Sequence, residues 1–204
     1  MAGQEHPFEA IERTLKSAVA ALRDEEVPFL LAGSLATWAR GGPETRNDLD
    51  FIVKPADSER ALEALGSAGM KPERPPEEWL FKAWDGDVLV DVIFEPSGLE
   101  MTDEVLERGD ELHVLGITVP VMSLEDGLTT KLMALDEHEL DYSDLLRTVR
   151  AVREQVDWPA LRRRTAGSPY AAAFFTLVDE LGIAEGGSGS EGAEVRVLRR
   201  PEAD

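Results

Sequence analysis

Cysteine is absent from the 204-residue sequence, and histidine and aromatic residues are scarce. Without cysteine, disulfide bonds, thiolate metal sites and cysteine nucleophiles are excluded. The three histidines, His6, His113 and His138, lie far apart and show no H-x-x-x-H spacing. A zinc site built from histidine is therefore not expected.

Long apolar runs are missing as well. The longest, residues 27–32 and 170–178, are too short to cross a bilayer. The first residues show neither the basic region nor the apolar region of a secretory signal. These features predict a cytoplasmic protein that does not enter the membrane.

The sequence has few positive charges. It contains 21 Lys and Arg but 41 Asp and Glu, which gives a formal net charge of −20. A chain this acidic repels phosphate backbones and anionic lipid, which disfavours nonspecific binding to DNA or membranes. A simpler interpretation is that the charge keeps the protein soluble.

The apolar pattern predicts an α+β fold, with a mixed β-sheet flanked by helices and followed by a helical lobe. Residues 8–23 repeat apolar positions every three or four residues, as an amphipathic helix does. Residues 79–94 read as a hairpin around an Asp-Gly turn. We expect a sheet-containing core at 1–122, a helical lobe at 123–183 and a disordered Gly- and Ser-rich tail at 184–204.

Two acids open one of the predicted strands, Asp48 and Asp50 in the segment 47–53. Strand side chains alternate between faces, so these two carboxylates point the same way. Their repulsion would be relieved by a cation, and Mg²⁺ favours hard oxygen ligands of this kind. A polar turn that leads into a strand is the alternative interpretation.

A third acid, Asp91, interrupts the apolar run 88–94. Burying an unpaired carboxylate costs at least about 2 kcal/mol, so Asp91 needs a partner such as arginine, backbone N–H groups or a metal. Meeting Asp48 and Asp50 across neighbouring strands would supply a metal cage. The alternative is that the segment is an edge strand. In that case Asp91 either faces water or pairs with an arginine.

The pair Gly33-Ser34 stands where a predicted strand ends and a helix begins. Glycine lets a ligand approach the backbone, and the serine hydroxyl and free helical N–H groups can bind phosphate. Ordinary helix capping by Ser34 explains the same residues.

Taken in order, these segments resemble the DNA polymerase beta-like nucleotidyltransferase superfamily, in particular its minimal, toxin-type members. The superfamily pattern is Gly-Gly/Ser, a spacer, Asp-x-Asp/Glu and a distal third acid. The matching pieces are GS at 33–34, DLDFIV at 48–53 and VLVDVIF at 88–94. The 13-residue spacer between Ser34 and Asp48 lies at the long end of the range.

The resemblance implies an enzyme that moves a nucleoside monophosphate from a nucleoside triphosphate such as ATP to an acceptor and releases pyrophosphate. Asp48, Asp50 and Asp91 would be catalytic and would hold two Mg²⁺ ions. Gly33 and Ser34 would bind the β- and γ-phosphates. Two cations that clamp the entering and leaving oxygens suit this chemistry.

The resemblance extends into the second half of the chain. Lys131, in the context KLMAL, looks like a lysine that contacts the triphosphate in toxin-type members, and Asp141 and Asp144 match a following D-x-x-D-L. Arg46, just before the Asp-x-Asp, could reach a phosphate. The alternatives are a solvated Lys131 and Arg46, and Asp141 as a helix cap with Asp144 in the first turn.

The acceptor stays open between a small molecule, a protein and tRNA. Six arginines form the only concentrated basic region, at 147, 150, 153 and 162–164. They could receive tRNA, or form a solvated helix face paired with acids. The alternative function is a non-catalytic, nucleotidyltransferase-like regulatory protein or toxin–antitoxin partner.

Overall fold

A computed structural model describes residues 8–43 and 48–184, and that part of the chain contains seven β-strands and eight α-helices. The strands are β1 (Phe29–Leu31), β2 (Leu49–Val53), β3 (Lys71–Glu73), β4 (Leu80–Asp85), β5 (Val88–Ile93), β6 (Asp110–Val114) and β7 (Ile117–Val121). The helices are α1 (Phe8–Asp24), α2 (Gly33–Ala39), α3 (Ser58–Ser67), α4 (Asp103–Glu107), α5 (Leu124–Met133), α6 (Tyr142–Val152), α7 (Trp158–Arg164) and α8 (Pro169–Glu180).

All seven strands form one mixed sheet in the order β3-β4-β5-β2-β1-β7-β6. The pairs β2–β5 and β1–β7 are parallel, and the other neighbours are antiparallel. The predicted α+β fold is confirmed. The strands that carry Asp50 and Asp91, β2 and β5, are neighbours near the centre of the sheet.

Side chains of β2 and β5 alternate between the two faces of the sheet. Phe51 and Val92 point into the larger apolar core, which helices α1 and α3 cover. Ile52 lies on the opposite face, in a smaller apolar cluster with Met122 and Val105 of α4. Asp50 and Asp91 directly precede the core residues Phe51 and Val92. Their side chains therefore point to the other face of the sheet, which α1 and α3 do not cover.

Helices α5 to α8 share an apolar cluster of their own, built around residues such as Leu132, Val149 and Phe174. Each helix is capped by the side chain of the residue before it, which accepts the backbone N–H three positions on. The capping residues are Ser123, Asp141, Asp157 and Ser168. The division into units at 1–122 and 123–183 remains a prediction.

Three local features differ from what the sequence pattern predicts. The prolines of 72–76 predict a turn. The structure instead begins this stretch with strand β3, where Pro72 is tolerated because β3 is an edge strand. The short helix α4 is not signalled by apolar periodicity, since Val105 is its one buried residue. Asp57 stands directly before α3 and is of a residue type that predicts a helix cap. Its side chain does not cap α3, since Asp57 ends a 3-10 turn and forms an ion pair with Arg60.

Arg46 and, apart from Ala184, the predicted tail lie outside the described residues. Among the residues described, no helix combines the length and apolar character needed to cross a membrane.

Candidate active site

Asp50 and Asp91 face each other across the parallel strands β2 and β5, where they form one register pair. Because partners in register share a face, both carboxylates point to the same side of the sheet. Asp48 lies two residues before Asp50, at the entrance to β2, and its negative charge reaches both of the other acids. The structure therefore brings together the three acids that the sequence singles out.

Gly33 lies directly against the carboxylate of Asp50. A Cβ placed on Gly33 would come within 1.8 Å of Oδ2 of Asp50, and Gly33 has a φ of +63°, in the left-handed region. Only glycine fits both the conformation and the contact. The glycine–serine corner is thus positioned beside the acid pair, with Ser34 as the next residue of α2.

The electrostatic environment of Asp50 is unfavourable to its negative charge. Burial, together with the negative charges of Asp91 and Asp48, raises the pKa of Asp50 to about 7. Lys131 and Lys82 offset part of this effect. Asp50 is therefore held in a position where a nearby cation would stabilise it.

Asp91 has a partner that the sequence interpretation missed. Nζ of Lys82, opposite Asp91 on β4, lies 3.1 Å from its Oδ1. Burial raises the pKa of Asp91, and the hydrogen bond and charge of Lys82 counteract only part of that rise. The predicted arginine or metal partner is, in this structure, a lysine.

A cavity of about 480 Å³ opens beside Asp50, between the uncovered face of the sheet and α5. Gly33 and Asp50 lie on one wall and Lys131 on another, while Trp79, 44% exposed, contributes an aromatic surface. Two carboxylates, Glu95 and Glu139, also line it. This volume is in the range of small-ligand pockets.

The other predicted phosphate-binding residues lie to one side of this cavity. Lys131 borders it and also a neighbouring depression, which Asp141 and Asp144 line. Asp141 caps α6 by accepting the N–H of Asp144. Burial alone would raise the pKa of Asp144, but hydrogen bonds and charge from Arg147 and Lys131 lower it overall. Asp141 thus fits the capping alternative.

The carboxylates suit a hard divalent cation in chemical type, because all their donors are oxygen and their mutual repulsion is what a cation relieves. Within residues 8–43 and 48–184, however, no group of three or more His, Asp or Glu side chains is arranged to hold a metal ion. One oxygen of Asp91 accepts a hydrogen bond from the Lys82 ammonium.

Replacing Gly33 by Ala is expected to reduce activity at least about a hundredfold and to lower stability, because the new methyl group displaces the Asp50 carboxylate. Gly86 provides a matched control, since its φ of +62° is nearly the same but a Cβ there meets nothing within 4 Å. Gly86→Ala should cost about 1 kcal/mol of stability and leave activity intact. Equal effects of the two substitutions on activity would contradict the proposed contact.

The comparisons with known proteins agree on a fold family. The sequence model of a family described as uncharacterised nucleotidyltransferases matches residues 9–178. A crystal structure of ANT(2")-Ia in complex with adenylyl-2"-tobramycin superimposes with a TM-score of 0.58 at 16% identity, covering 81% of this chain and 97% of that one. A Thermotoga maritima protein assigned as a nucleotidyltransferase gives a TM-score of 0.51 at 17% identity, covering 65% and 89%. No curated protein sequence matches the chain.

Proposed function

Because the chain belongs to the family of uncharacterised nucleotidyltransferases, we propose that it transfers a nucleoside monophosphate from a nucleoside triphosphate to a hydroxyl group of a small molecule. One observation carries the proposal: Asp50 and Asp91 form a register pair on adjacent strands, with the Asp50 carboxylate packed on Gly33 beside a ligand-sized cavity. Clustered carboxylates next to a glycine corner suit the binding of cations and phosphate.

The phosphate-binding side of the proposed site consists of Gly33, Ser34 and Lys131. Gly33 lets the triphosphate approach the backbone, and the Ser34 hydroxyl adds a hydrogen-bond donor. Lys131, on the opposite wall of the cavity, supplies positive charge to the phosphates. We include Arg46 in this set on the sequence pattern alone.

We propose Asp48, Asp50 and Asp91 as the residues that would hold Mg²⁺, two ions by the superfamily pattern. When bound, the cations would neutralise the charge that develops on the phosphate oxygens. The acids of this chain would also be relieved of the repulsion that raises the pKa of Asp50.

In the proposed reaction, the acceptor oxygen forms a bond to the α-phosphorus while the bond from that phosphorus to the bridging oxygen breaks. The electron pair of the broken bond leaves with pyrophosphate. Asp91 orients the acceptor hydroxyl and takes up its proton, a role that suits a carboxylate whose pKa is raised by burial.

A small-molecule acceptor is favoured over tRNA by the charges on the helical lobe. Four of the six arginines that could receive RNA are engaged by acids: Arg147 with Asp144, Arg153 with Glu154, Arg162 with Asp179 and Arg164 with Asp126. The net charge of −20 also repels a polyanion. Adenylyl-2"-tobramycin in the ANT(2")-Ia structure indicates which kind of acceptor to test first.

The test is incubation of the full chain with Mg²⁺ and each of the four nucleoside triphosphates, labelled at the α-phosphate, with a panel of hydroxylated small molecules, tRNA and protein. We expect transfer of the α-label to a small molecule. In a parallel reaction with γ-labelled triphosphate, the label should appear only in pyrophosphate. Nucleotide binding by calorimetry without transfer to any acceptor would favour the non-catalytic or toxin–antitoxin partner instead. Absence of metal-dependent nucleotide binding would reject the proposal.

Lys131→Met is expected to raise the KM for the nucleotide about 10- to 100-fold, because a hydrogen bond to a charged group contributes about 1.5–3 kcal/mol. We expect kcat to fall as well, because the charge of Lys131 also acts on Asp50. Lys71→Met, on the exposed edge strand β3, removes the same charge and should leave KM unchanged. If the KM of Lys131→Met equals that of Lys71→Met, Lys131 does not belong to the phosphate site.

A further inference from the structure

Lys82 forms an ion pair with Asp91, one of the two acids that face each other across β2 and β5. It pairs with Asp91 across the β4–β5 hairpin, with Nζ 3.1 Å from Oδ1. The two side chains are only 24% and 17% exposed, so this is not a solvated surface pair. Lys82 therefore neutralises Asp91 in the free protein.

A divalent cation that binds Oδ1 of Asp91 would come into close contact with the Lys82 ammonium, which lies 3.1 Å from that oxygen. Two positive charges at contact distance repel each other, and the partly buried setting screens that repulsion weakly. The lysine has a flexible four-carbon stem, so its ammonium group can move aside when another cation takes its place.

We propose that Lys82 is a built-in competitor of the divalent cation at Asp91, and that it keeps cation binding weak until nucleotide is present. The inference rests on the proposed function, because it concerns the cation of that site. A nucleotide favours the exchange because its phosphates add oxygen ligands to the cation, and the displaced ammonium of Lys82 becomes available to an anionic ligand.

The experiment measures binding of Mn²⁺ alone to the full-length protein, by electron paramagnetic resonance of the free ion, without nucleotide. Lys82→Met should lower the Kd for Mn²⁺ about tenfold, because it removes a positive charge in contact with the ligand carboxylate. Lys82→Arg keeps the charge and should bind no more tightly than the wild type. Lys71→Met, which changes the net charge equally at an exposed position, should have no effect.

The Asp91→Asn background isolates the contact, because there Lys82→Met should tighten binding much less, through its remaining effect on Asp50 alone. Unchanged or weaker Mn²⁺ binding by Lys82→Met, or equal tightening by Lys82→Arg or Lys71→Met, would overturn the proposal. If neither the wild type nor Lys82→Met binds Mn²⁺, with or without nucleotide, the metal-dependent function itself fails. Wild-type binding with nucleotide but no effect of Lys82→Met rejects the competition alone.

Discussion

Asp50→Asn is expected to lower nucleotidyl transfer by about a thousandfold or more and, at the same time, to stabilise the metal-free protein at neutral pH. Activity is lost because the amide cannot replace a carboxylate as a ligand for a hard cation. Stability rises because the amide removes a buried negative charge from a site that already holds two others. A single substitution should thus move activity and stability in opposite directions.

The effect of Asp50 on stability depends on pH, with a definite sign. The pKa of Asp50 is about 7 in the folded chain, against an ordinary value of 3.8 for a solvated aspartate. Between these values the unfolded chain is ionised while the folded chain keeps its proton, so this group lowers the free energy of unfolding as pH rises. The loss is at most about 4 kcal/mol, and it is complete above pH 7.

Urea unfolding of the metal-free wild type and of Asp50→Asn at pH 5 and pH 8 measures this effect. The advantage of Asp50→Asn over the wild type should be larger at pH 8, and Mg²⁺ with nucleotide should reduce it. Glu95→Gln, at the exposed edge of the same cavity, is the control and should show no such pH dependence. Equal stability of wild type and Asp50→Asn at pH 8 would show that Asp50 is not electrostatically strained.

The double substitution Arg108→Met and Arg164→Met is expected to destabilise the protein by about 3–5 kcal/mol, because it leaves a buried carboxylate without a cation. Asp126 on α5 is fully buried and receives Nη2 of Arg108 at 3.0 Å and a second bond from Arg164. Burial alone would raise the pKa of Asp126, but the hydrogen bonds from both arginines and from Ser123 lower it overall.

Two comparisons make this prediction specific. Arg147→Met with Arg153→Met removes two exposed ion pairs and should cost no more than about 1 kcal/mol per pair. Adding Asp126→Leu to the double variant should recover much of the stability, because an apolar side chain needs no partner.

The pH dependence at Asp126 runs opposite to that at Asp50. The pKa of Asp126 is lowered on folding, so the stability that its arginines provide is present above pH 4 and is lost as pH falls further. The loss of unfolding free energy caused by Arg108→Met with Arg164→Met should therefore be smaller at acidic pH than at neutral pH. A deficit that does not change with pH would assign the loss to packing and not to charge.

Short-range patterns in the sequence predict much of this fold. The alternation of side chains along β2 predicts that Asp50 and Phe51 point to opposite faces of the sheet, and the structure confirms this. The caps Ser123 and Asp141 follow from residue type and the helix behind them. The Asp-Gly signal predicts the hairpin but not its register, because the two-residue loop is 86–87 and Asp85 still belongs to β4. A turn centred on Asp85 and Gly86 would have placed Leu80, and not Lys82, opposite Asp91.

Long-range features could not be obtained in this way. The parallel pairing of β2 with β5 joins segments that are distant in sequence, and only the resemblance to a known superfamily suggested it. The burial of Asp126 depends on Arg108 and Arg164, which come from different parts of the chain. In sequence, Asp126 looks like any acid in the first turn of a helix.

The arrangement of β4 and β5 also has a consequence for the order in which the chain folds. A hairpin of adjacent residues closes in about 1–10 μs, whereas pairing β5 with the distant β2 requires a much longer loop to close. We therefore expect Asp91 to reach Asp50 with Lys82 already beside it, and the lysine to lower the electrostatic barrier to joining the two halves of the sheet. Slower refolding of Lys82→Met than of Lys71→Met would be the kinetic sign of this early neutralisation.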